Sequence, residues 1–151
     1  MDGSQDMTAP RKIWLGLLAR APQGMVAGLC AQAGIDPAFE WLRQPEVGTV
    51  MVRGRMGGTG APFNLGEVTV TRASVRLAAG PVGHGHVQGR DKAAARLAAI
   101  VDALMQTDQA GLIQHAVLDP IAAQLSDKAA TRAAKAAATK VEFFTLVRGE
   151  D

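Results

Sequence analysis

The stretch Val82–Met105, VGHGHVQGRDKAAARLAAIVDALM, contains the two patterns that decide the fold class of this chain. Its first part, Val82–Val87, is predicted to be a β-strand, in which every second side chain lies on the same face. Its second part repeats apolar residues at the three- and four-residue spacing of one helical face. Asp91 stands immediately before that repeat, where a helix N-cap is expected. The stretch therefore predicts a strand that leads directly into an amphipathic helix.

More strands are predicted before this stretch. Polar and apolar residues alternate in a way that favours strands at Phe39–Arg43, Val47–Met56 and Phe63–Leu77, the last with a bulge near Gly66. The links between these strands are short and rich in glycine. Consecutive strands with such links are typical of an antiparallel meander.

Helices are predicted on both sides of the strands. One helix covers residues 9–20 and a second begins at Pro22, so that the two form a hairpin. After a turn within residues 107–116, an alanine-rich helix runs from Asp119 to Lys140, and residues 141–147 are assigned to a closing strand. The predicted class is α+β: an antiparallel β-sheet with the N-terminal helical hairpin and the C-terminal helices packed on it. We expect residues 1–151 to form one domain with a flexible N-terminus at residues 1–7.

The composition excludes several classes of protein. The 151 residues carry a formal net charge of +2 and only 4% aromatic residues, which argues against a nucleic-acid-binding module. No signal peptide is evident, and no apolar run approaches the roughly 20 residues that span a bilayer. The single cysteine, Cys30, lies on a predicted apolar helical stripe and fits a reducing compartment. We therefore expect a cytoplasmic protein with neither a nucleic-acid nor a membrane partner.

The glycine-rich loop Met56–Gly60, MGGTG, is the first candidate site. Glycines let backbone N–H groups approach an anion closely. The loop lacks the Gly-Lys-Ser/Thr of a phosphate-binding P-loop, and it leads into a strand, unlike a dinucleotide-binding fingerprint. The alternative is a hairpin loop whose glycines adopt positive φ angles. The candidate residues for anion or partner contact here are Arg55, Gly57, Gly58, Thr59 and Gly60.

The segment between the predicted last strand and its helix is the second candidate site. A helix N-terminus carries free N–H groups and a partial positive charge, which together attract phosphate, and two basic side chains flank this one. The alternative is structural: Asp91 caps the helix and occupies the same N–H groups, and Gly89 eases the turn. The candidate residues here are Gln88, Gly89, Arg90, Asp91 and Lys92.

Arginines on the predicted strands form a third group. Arg53 and Arg55 are spaced for one strand face, and so are Arg72 and Arg76. Such arginines recognise phosphate or carboxylate groups, dock an acidic partner, or merely keep a surface soluble. Thr71 and Arg72 are added to the candidates for anion or partner contact.

No catalytic or metal site is predicted. His84 and His86 would share a strand face, but a third metal ligand is not apparent near them, so surface histidines are the preferred interpretation. The sequence shows no Ser-His-Asp or Cys-His set in a motif, no HExxH, no CxxC and no paired-carboxylate signature. The residues alone predict an α+β domain with an anion-binding or interaction surface.

Five segments, in this order, resemble the PhnG family of the bacterial carbon–phosphorus lyase complex. The resemblance extends from about Trp14 to the C-terminus and therefore covers most of the chain. The segments that carry it are Arg55–Gly60, Thr69–Leu77, Val87–Lys92, Asp102–Gln106 and Phe143–Gly149.

The resemblance implies a role in organic phosphonate catabolism. In that family, PhnG works with PhnH, PhnI and PhnL subunits to displace adenine from ATP with a phosphonate such as methylphosphonate, which yields a ribose 1-phosphonate 5-triphosphate. The resemblance implies that PhnI is the catalytic partner and that PhnJ belongs to the same core complex. ATP and a phosphonate would then be substrates of the complex, and this chain would hold no cofactor of its own.

Two alternatives stay open beside the role of a non-catalytic transferase subunit. One is a stand-alone small enzyme or anion-binding protein that acts on a phosphorylated ligand, which would need a pocket that joins Arg55, Arg72 or Arg90 with a base. The other concerns assembly: the isolated chain would self-associate through the surface meant for its partners.

Overall fold

The computed structural model describes residues 8–78 and 80–140, which form an α+β fold. The three strands, in the order β1-β2-β3, form an antiparallel meander, and helices from both ends of the chain flank it. This confirms the predicted fold class. The elements are α1 (Thr8–Arg20), α2 (Met25–Gln32), β1 (Phe39–Arg55), β2 (Pro62–Leu77), β3 (Val82–Gln88), α3 (Lys92–Leu104), α4 (Ala110–Ile113) and α5 (Asp119–Ala138).

Strand β3 and helix α3 are in direct backbone contact. Gly83 and Gly85 are buried, and a Cβ atom on either would collide with a carbonyl oxygen of α3. The helix presents small side chains at this contact, among them Ala103. Because successive strand residues point to opposite faces, His84 and His86 lie exposed on the far side of the sheet. The alternation of glycine and histidine is thus explained by close helix packing on one face only.

The core lies between the helices and one face of the sheet, called here the inner face. Ala73, Val75 and Leu77 of β2 are buried on this face, at two-residue spacing. Side chains from α4, the following turn and α5, such as Ile113, complete the core. Cys30 is also buried there, and burial raises the pKa of its thiol above the ordinary value. The sequence prediction of Cys30 as a buried apolar residue is confirmed.

Strands β1 and β2 extend well beyond β3. Strand β3 pairs with β2 only over Val70–Arg76, whereas β1 pairs with β2 from Leu77 to Pro62. Residues 49–69 therefore form a two-stranded ribbon that projects from the three-stranded base. The turn at its tip contains Gly57 and Gly58, with φ angles of 57° and 82°.

Two predicted strands, Phe39–Arg43 and Val47–Met56, are in fact the single strand β1. The register shifts on both sides of Arg43, so the strand continues past Pro45 instead of ending. Proline lacks an N–H donor and is tolerated on an edge strand or at a bulge, and β1 is an edge strand. The predicted bulge in β2 is present, because Val52 pairs with Gly66 and Arg53 with Asn64, which leaves Leu65 unmatched.

The turn predicted within residues 107–116 is present, but only in the first part of that range. Helix α4 begins at Ala110, and a wide helical turn over Gln114–Leu118 continues directly into α5. Asp119 consequently does not cap α5 but accepts a hydrogen bond from Gln114 and pairs with His115. Beyond the buried Ile121 and half-buried Leu125, helix α5 is exposed to its end. The strand predicted at residues 141–147 and the N-terminal residues 1–7 lie outside the described residues.

No single helix among the described residues has the length and apolar composition needed to cross a bilayer. Helices α1 and α2 meet that requirement only when taken together across a bend of 111°. Both helices bury side chains in the core, namely Trp14, Leu18, Val26 and Cys30.

Candidate functional site

The glycine-rich loop Met56–Gly60 closes the tip of the ribbon. Gly60 N donates to Met56 O at 2.7 Å, and Arg55 Nη1 donates to Gly60 O at 3.2 Å. A Cβ atom on Gly60 would lie 2.6 Å from Met56 O, so glycine is required at this close approach. Positive φ angles at Gly57 and Gly58 meet the needs of a tight hairpin. The loop is thus built as a hairpin end that presents Arg55 and Thr59 to solvent.

The second candidate segment forms a corner between β3 and α3. The buried hydroxyl of Thr71 donates to Gly89 O at 2.7 Å, and Gly89 N donates to Thr69 O at 2.9 Å. Asp91 Oδ1 accepts from Ala94 N at 2.9 Å, which is the predicted N-cap. Thr71, Gly89 and Asp91 therefore build the corner itself, whereas Gln88, Arg90 and Lys92 are exposed on it.

A cleft of about 740 Å³ lies beside this corner, between it and the turn that joins α1 to α2. Its walls include Leu18, Val26 and Val87, and Arg90 belongs to its lining. Asp91 also lines the cleft, and its carboxylate already occupies an N–H group at the start of α3. For a phosphate, the attraction of Arg90 is opposed by that carboxylate.

The structure does not bring the two candidate segments together. The tip residues Gly57–Gly60 adjoin Pro62 at one end of β2, and the corner adjoins Thr71. Pro62 and Thr71 are nine residue steps apart along β2, which corresponds to about 30 Å. Arg55 and Arg90 consequently belong to different surfaces.

Arg72 lies on a third surface, the face of the sheet opposite the core, called here the outer face. Its Nε atom donates to Glu46 Oε1 at 2.7 Å, and Arg43 donates to the same oxygen at 2.9 Å. Arg76 pairs with Glu40 at 3.0 Å in the same manner. These are exposed ion pairs, each worth about 0–1 kcal/mol. Cross-strand pairing with Asn64 places Arg53 on the inner face of the ribbon, so the arginines do not form one cluster.

The predicted histidine pair is part of the outer face. His84 Nδ1 lies 2.8 Å from Ser74 Oγ, and His86 is exposed. Residues 8–78 and 80–140 contain no group of three or more His, Cys, Asp or Glu side chains placed to hold a metal ion.

Among the described residues, the polar side chain with the most hydrogen-bond partners is that of Asp102, which was not identified from the sequence as a structural centre. Its side chain is 0% exposed. The carboxylate accepts from Arg11 Nε at 3.0 Å and Arg11 Nη2 at 2.6 Å, from Trp14 Nε1 at 2.8 Å, and from His84 N at 2.7 Å. It therefore ties α1, β3 and α3 together with all its charge compensated. The sequence did contain a signal for this role, because Asp102 is an acidic residue inside the apolar stripe of α3.

The described residues form a small α+β protein. The buried carboxylate of Asp102 is fully hydrogen-bonded within the fold, and the candidate site residues lie on separate surfaces. A two-stranded ribbon projects from the base. The chain belongs to the PhnG family of phosphonate metabolism proteins, whose family model matches residues 9–149. It is 49% identical over 143 residues to the alpha-D-ribose 1-methylphosphonate 5-triphosphate synthase subunit PhnG of Rhizobium meliloti (strain 1021). That match covers 95% of this chain and 92% of the relative, and the resemblance seen in five sequence segments is confirmed.

Proposed function

We propose that this chain is a subunit of an alpha-D-ribose 1-methylphosphonate 5-triphosphate synthase and acts in phosphonate metabolism. The observation that carries the proposal is the 49% identity to a subunit of that name over 95% of this chain. Because the match covers nearly all of both chains, it includes the base, the ribbon and the corner alike.

The proposed reaction is the displacement of adenine from ATP by a phosphonate, carried out together with PhnI-, PhnH- and PhnL-type subunits. A PhnJ-type subunit would join the same core complex. In this proposal the chain positions its partners and does not catalyse the reaction alone. The dispersal of its polar groups supports this: Asp102 is saturated by the fold, His84 contacts Ser74, and His115 pairs with Asp119.

The candidate residues have different parts in this proposal. The ribbon tip with Arg55 suits contact with a partner, because its loop is a closed hairpin that projects from the base. The corner with Gln88, Arg90 and Lys92 presents exposed polar groups beside the cleft, where a partner or an anion held by a partner would meet them. We place the complex in the cytoplasm, where its proposed substrate ATP is abundant.

The stand-alone enzyme alternative receives no support from the geometry. It requires a pocket that joins Arg55, Arg72 or Arg90 with a base. Arg55 lies at the ribbon tip, Arg72 pairs with Glu46, and Arg90 lies beside an Asp91 that caps α3. These arginines occupy separate surfaces, and the carboxylate nearest in sequence to Arg90 is engaged.

Adenine release from ATP and methylphosphonate tests the proposal. We expect release when this chain is mixed with the PhnH-, PhnI- and PhnL-type subunits, and none when this chain is omitted. Undiminished release without this chain would contradict an obligate subunit. Release by this chain alone would instead establish a catalyst and direct attention to Arg55, Arg72 and Arg90.

A further inference from the structure

The exposed large apolar side chains of this protein are concentrated on the ribbon. Five of the ten such side chains among the described residues lie on the ribbon, residues 49–69. The five are Val50, Met51, Met56, Phe63 and Leu65. Burial of apolar surface is favourable by about 25 cal/mol per Å². Contact with another protein surface that buries these side chains would therefore stabilise the ribbon.

The outer face of the ribbon carries a continuous apolar strip. Val50 pairs with Val68, and Gly54 pairs with Phe63, whose ring lies over the glycine. Residues paired across antiparallel strands share a face, and every second residue along each strand returns to it. The strip therefore consists of Val50, Val52, Phe63, Val68 and Val70, with glycines between them. Of the exposed apolar side chains of the ribbon, Val50 (42% exposed) and Phe63 (41% exposed) lie on this strip, whereas Val52 and Val68 are half-buried.

The opposite face of the ribbon is more polar, although it also carries Met51, which is 47% exposed. There Thr49 pairs with Thr69, Met51 with Glu67 and Arg53 with Asn64. The helices of the base pack on this inner side of the sheet, as the buried inner-face residues of β2 show. No described helix covers the outer strip, and Val70 stays apart from the core cluster although it is only 6% exposed.

We propose that this outer strip is the docking surface for a different subunit of the synthase, one that offers an apolar patch bordered by carboxylates. The inference rests on the proposed function. Ion-paired side chains border the strip at the base of the ribbon, which is the arrangement of an apolar interface centre with a polar rim.

Charge favours a different subunit over a second copy of this chain. The outer face carries the cations Arg43, Arg72 and Arg76 against the anions Glu40 and Glu46. Two copies packed face to face would each bring an excess of positive charge to the interface. A different subunit supplies the missing carboxylates and removes that repulsion.

The outer face is also large enough for a stable interface. Strand β1 has 17 residues. At about 3.3 Å per residue such a strand spans about 55 Å, and two or three strands are about 10–14 Å wide. The resulting face of about 550–770 Å² approaches the ~800 Å² that each partner contributes to a standard interface.

Two charge insertions on the same strand test the proposal. The variant Val50→Lys places a cation in the strip. Its matched control, Thr49→Lys, places a cation at the neighbouring residue, on the opposite face of the ribbon. Lysine is tolerated on an edge strand, so both variants are expected to fold, which circular dichroism and thermal melting of each variant would verify. Each tagged variant is co-expressed with the PhnH-, PhnI-, PhnJ- and PhnL-type subunits, and the amount of copurified subunit is measured.

We expect Val50→Lys to copurify about tenfold less partner than the unmodified chain, and Thr49→Lys to copurify the same amount. Equal copurification by both variants would overturn the docking surface while leaving the proposed function intact. If Val50→Lys instead only converts a dimer of the isolated chain into a monomer, the occupant is a second copy and the inference is wrong. Failure of the unmodified chain to copurify any subunit would contradict the proposed function itself.

A gentler variant guards against misfolding of Val50→Lys. The double change Val50→Thr and Val68→Thr keeps the β-branched shape and the strand preference of both residues but makes the strip polar. We expect a smaller but measurable loss of copurified partner. Full retention of partner by this variant, with an unchanged melting temperature, would also overturn the proposal.

Discussion

The two halves of β2 have similar alternating sequences but different surroundings. In the half nearest the base, residues 70–77, the side chains of Thr71, Ala73, Val75 and Leu77 are buried. In the ribbon half, every residue from Pro62 to Glu67 is exposed. Residues 70–77 lie between β1 and β3 and under α3, whereas the ribbon half of β2 has only β1 beside it. Neighbouring elements, more than the strand's own pattern, therefore decide whether a β2 residue is buried.

The base and the ribbon are expected to have different roles. The base holds the close β3–α3 contact and the saturated Asp102, which are features of a unique and stable fold. The ribbon holds exposed apolar side chains and free strand edges, which are features of a surface that binds another protein. Changes in the base are expected to alter stability, and changes in the ribbon to alter assembly.

The largest effect on stability is expected from Asp102→Ala. The change removes the acceptor for Arg11, Trp14 and His84 N and leaves these donors unpaired in or near the core. Loss of one partner from a buried charge network costs about 3–5 kcal/mol. The control Glu46→Ala removes only exposed ion pairs and is expected to cost about 1 kcal/mol or less. Urea unfolding measures both, and equal losses would contradict the distinction between the base and the outer face.

Gly85→Ala is expected to have the next largest effect. The added Cβ atom would collide with Ala95 O, so α3 must shift, and such overpacking typically costs about 1–3 kcal/mol. The matched control is Gly48→Ala on the edge strand β1, where a Cβ atom meets nothing within 4 Å. Thermal melting should show a lower melting temperature for the first variant and an unchanged or higher one for the second. A similar loss in both would show that close β3–α3 packing is not what distinguishes the base.

The smallest effect is expected at the start of α5, away from both regions. The side-chain amide of Gln114 donates to Asp119 Oδ1 at 2.6 Å, and this bond, followed by the contact with His115, lowers the pKa of the Asp119 carboxyl. A lowered pKa means that the ionised carboxylate supports the fold above its ordinary pKa, and that this support is lost as the pH falls through the lowered value. We expect Gln114→Ala to move the pKa of Asp119 upwards, toward its ordinary value.

Carboxyl titration followed by NMR would measure that pKa shift directly. The control is Leu112→Ala, an exposed side chain one residue before the end of α4, which should leave the pKa of Asp119 unchanged. An equal pKa shift in both variants, or no shift in Gln114→Ala, would show that the hydrogen bond from Gln114 is not the cause.

Features with local causes were predictable from the sequence. The stripe of α3 and its Asp91 cap depend on residues within a few positions of each other, and both are present. The positive φ angles of Gly57 and Gly58 follow equally from a short loop between paired strands. The continuity of β1 was missed, because whether Pro45 ends a strand or lies in an irregular edge depends on the partner strand.

Features with distant causes were not predictable. Asp102 and Arg11 are separated by 91 positions, and nothing in either local pattern indicates their contact. The candidate segments around Arg55 and Arg90 could be recognised singly, but their separation depends on how far β2 extends beyond β3. The outer strip likewise depends on the register of β1 with β2 and on the side of the sheet that the helices cover.

Hydrogen exchange of the isolated chain and of the assembled synthase tests most directly the claim that the base maintains the fold and the ribbon binds a partner. We predict that residues 49–69 gain protection in the complex, most at Val50, Phe63 and Val68, whereas β3 and α3 are already protected in the isolated chain. Unchanged exchange in the ribbon, with new protection confined to the helices, would contradict the account.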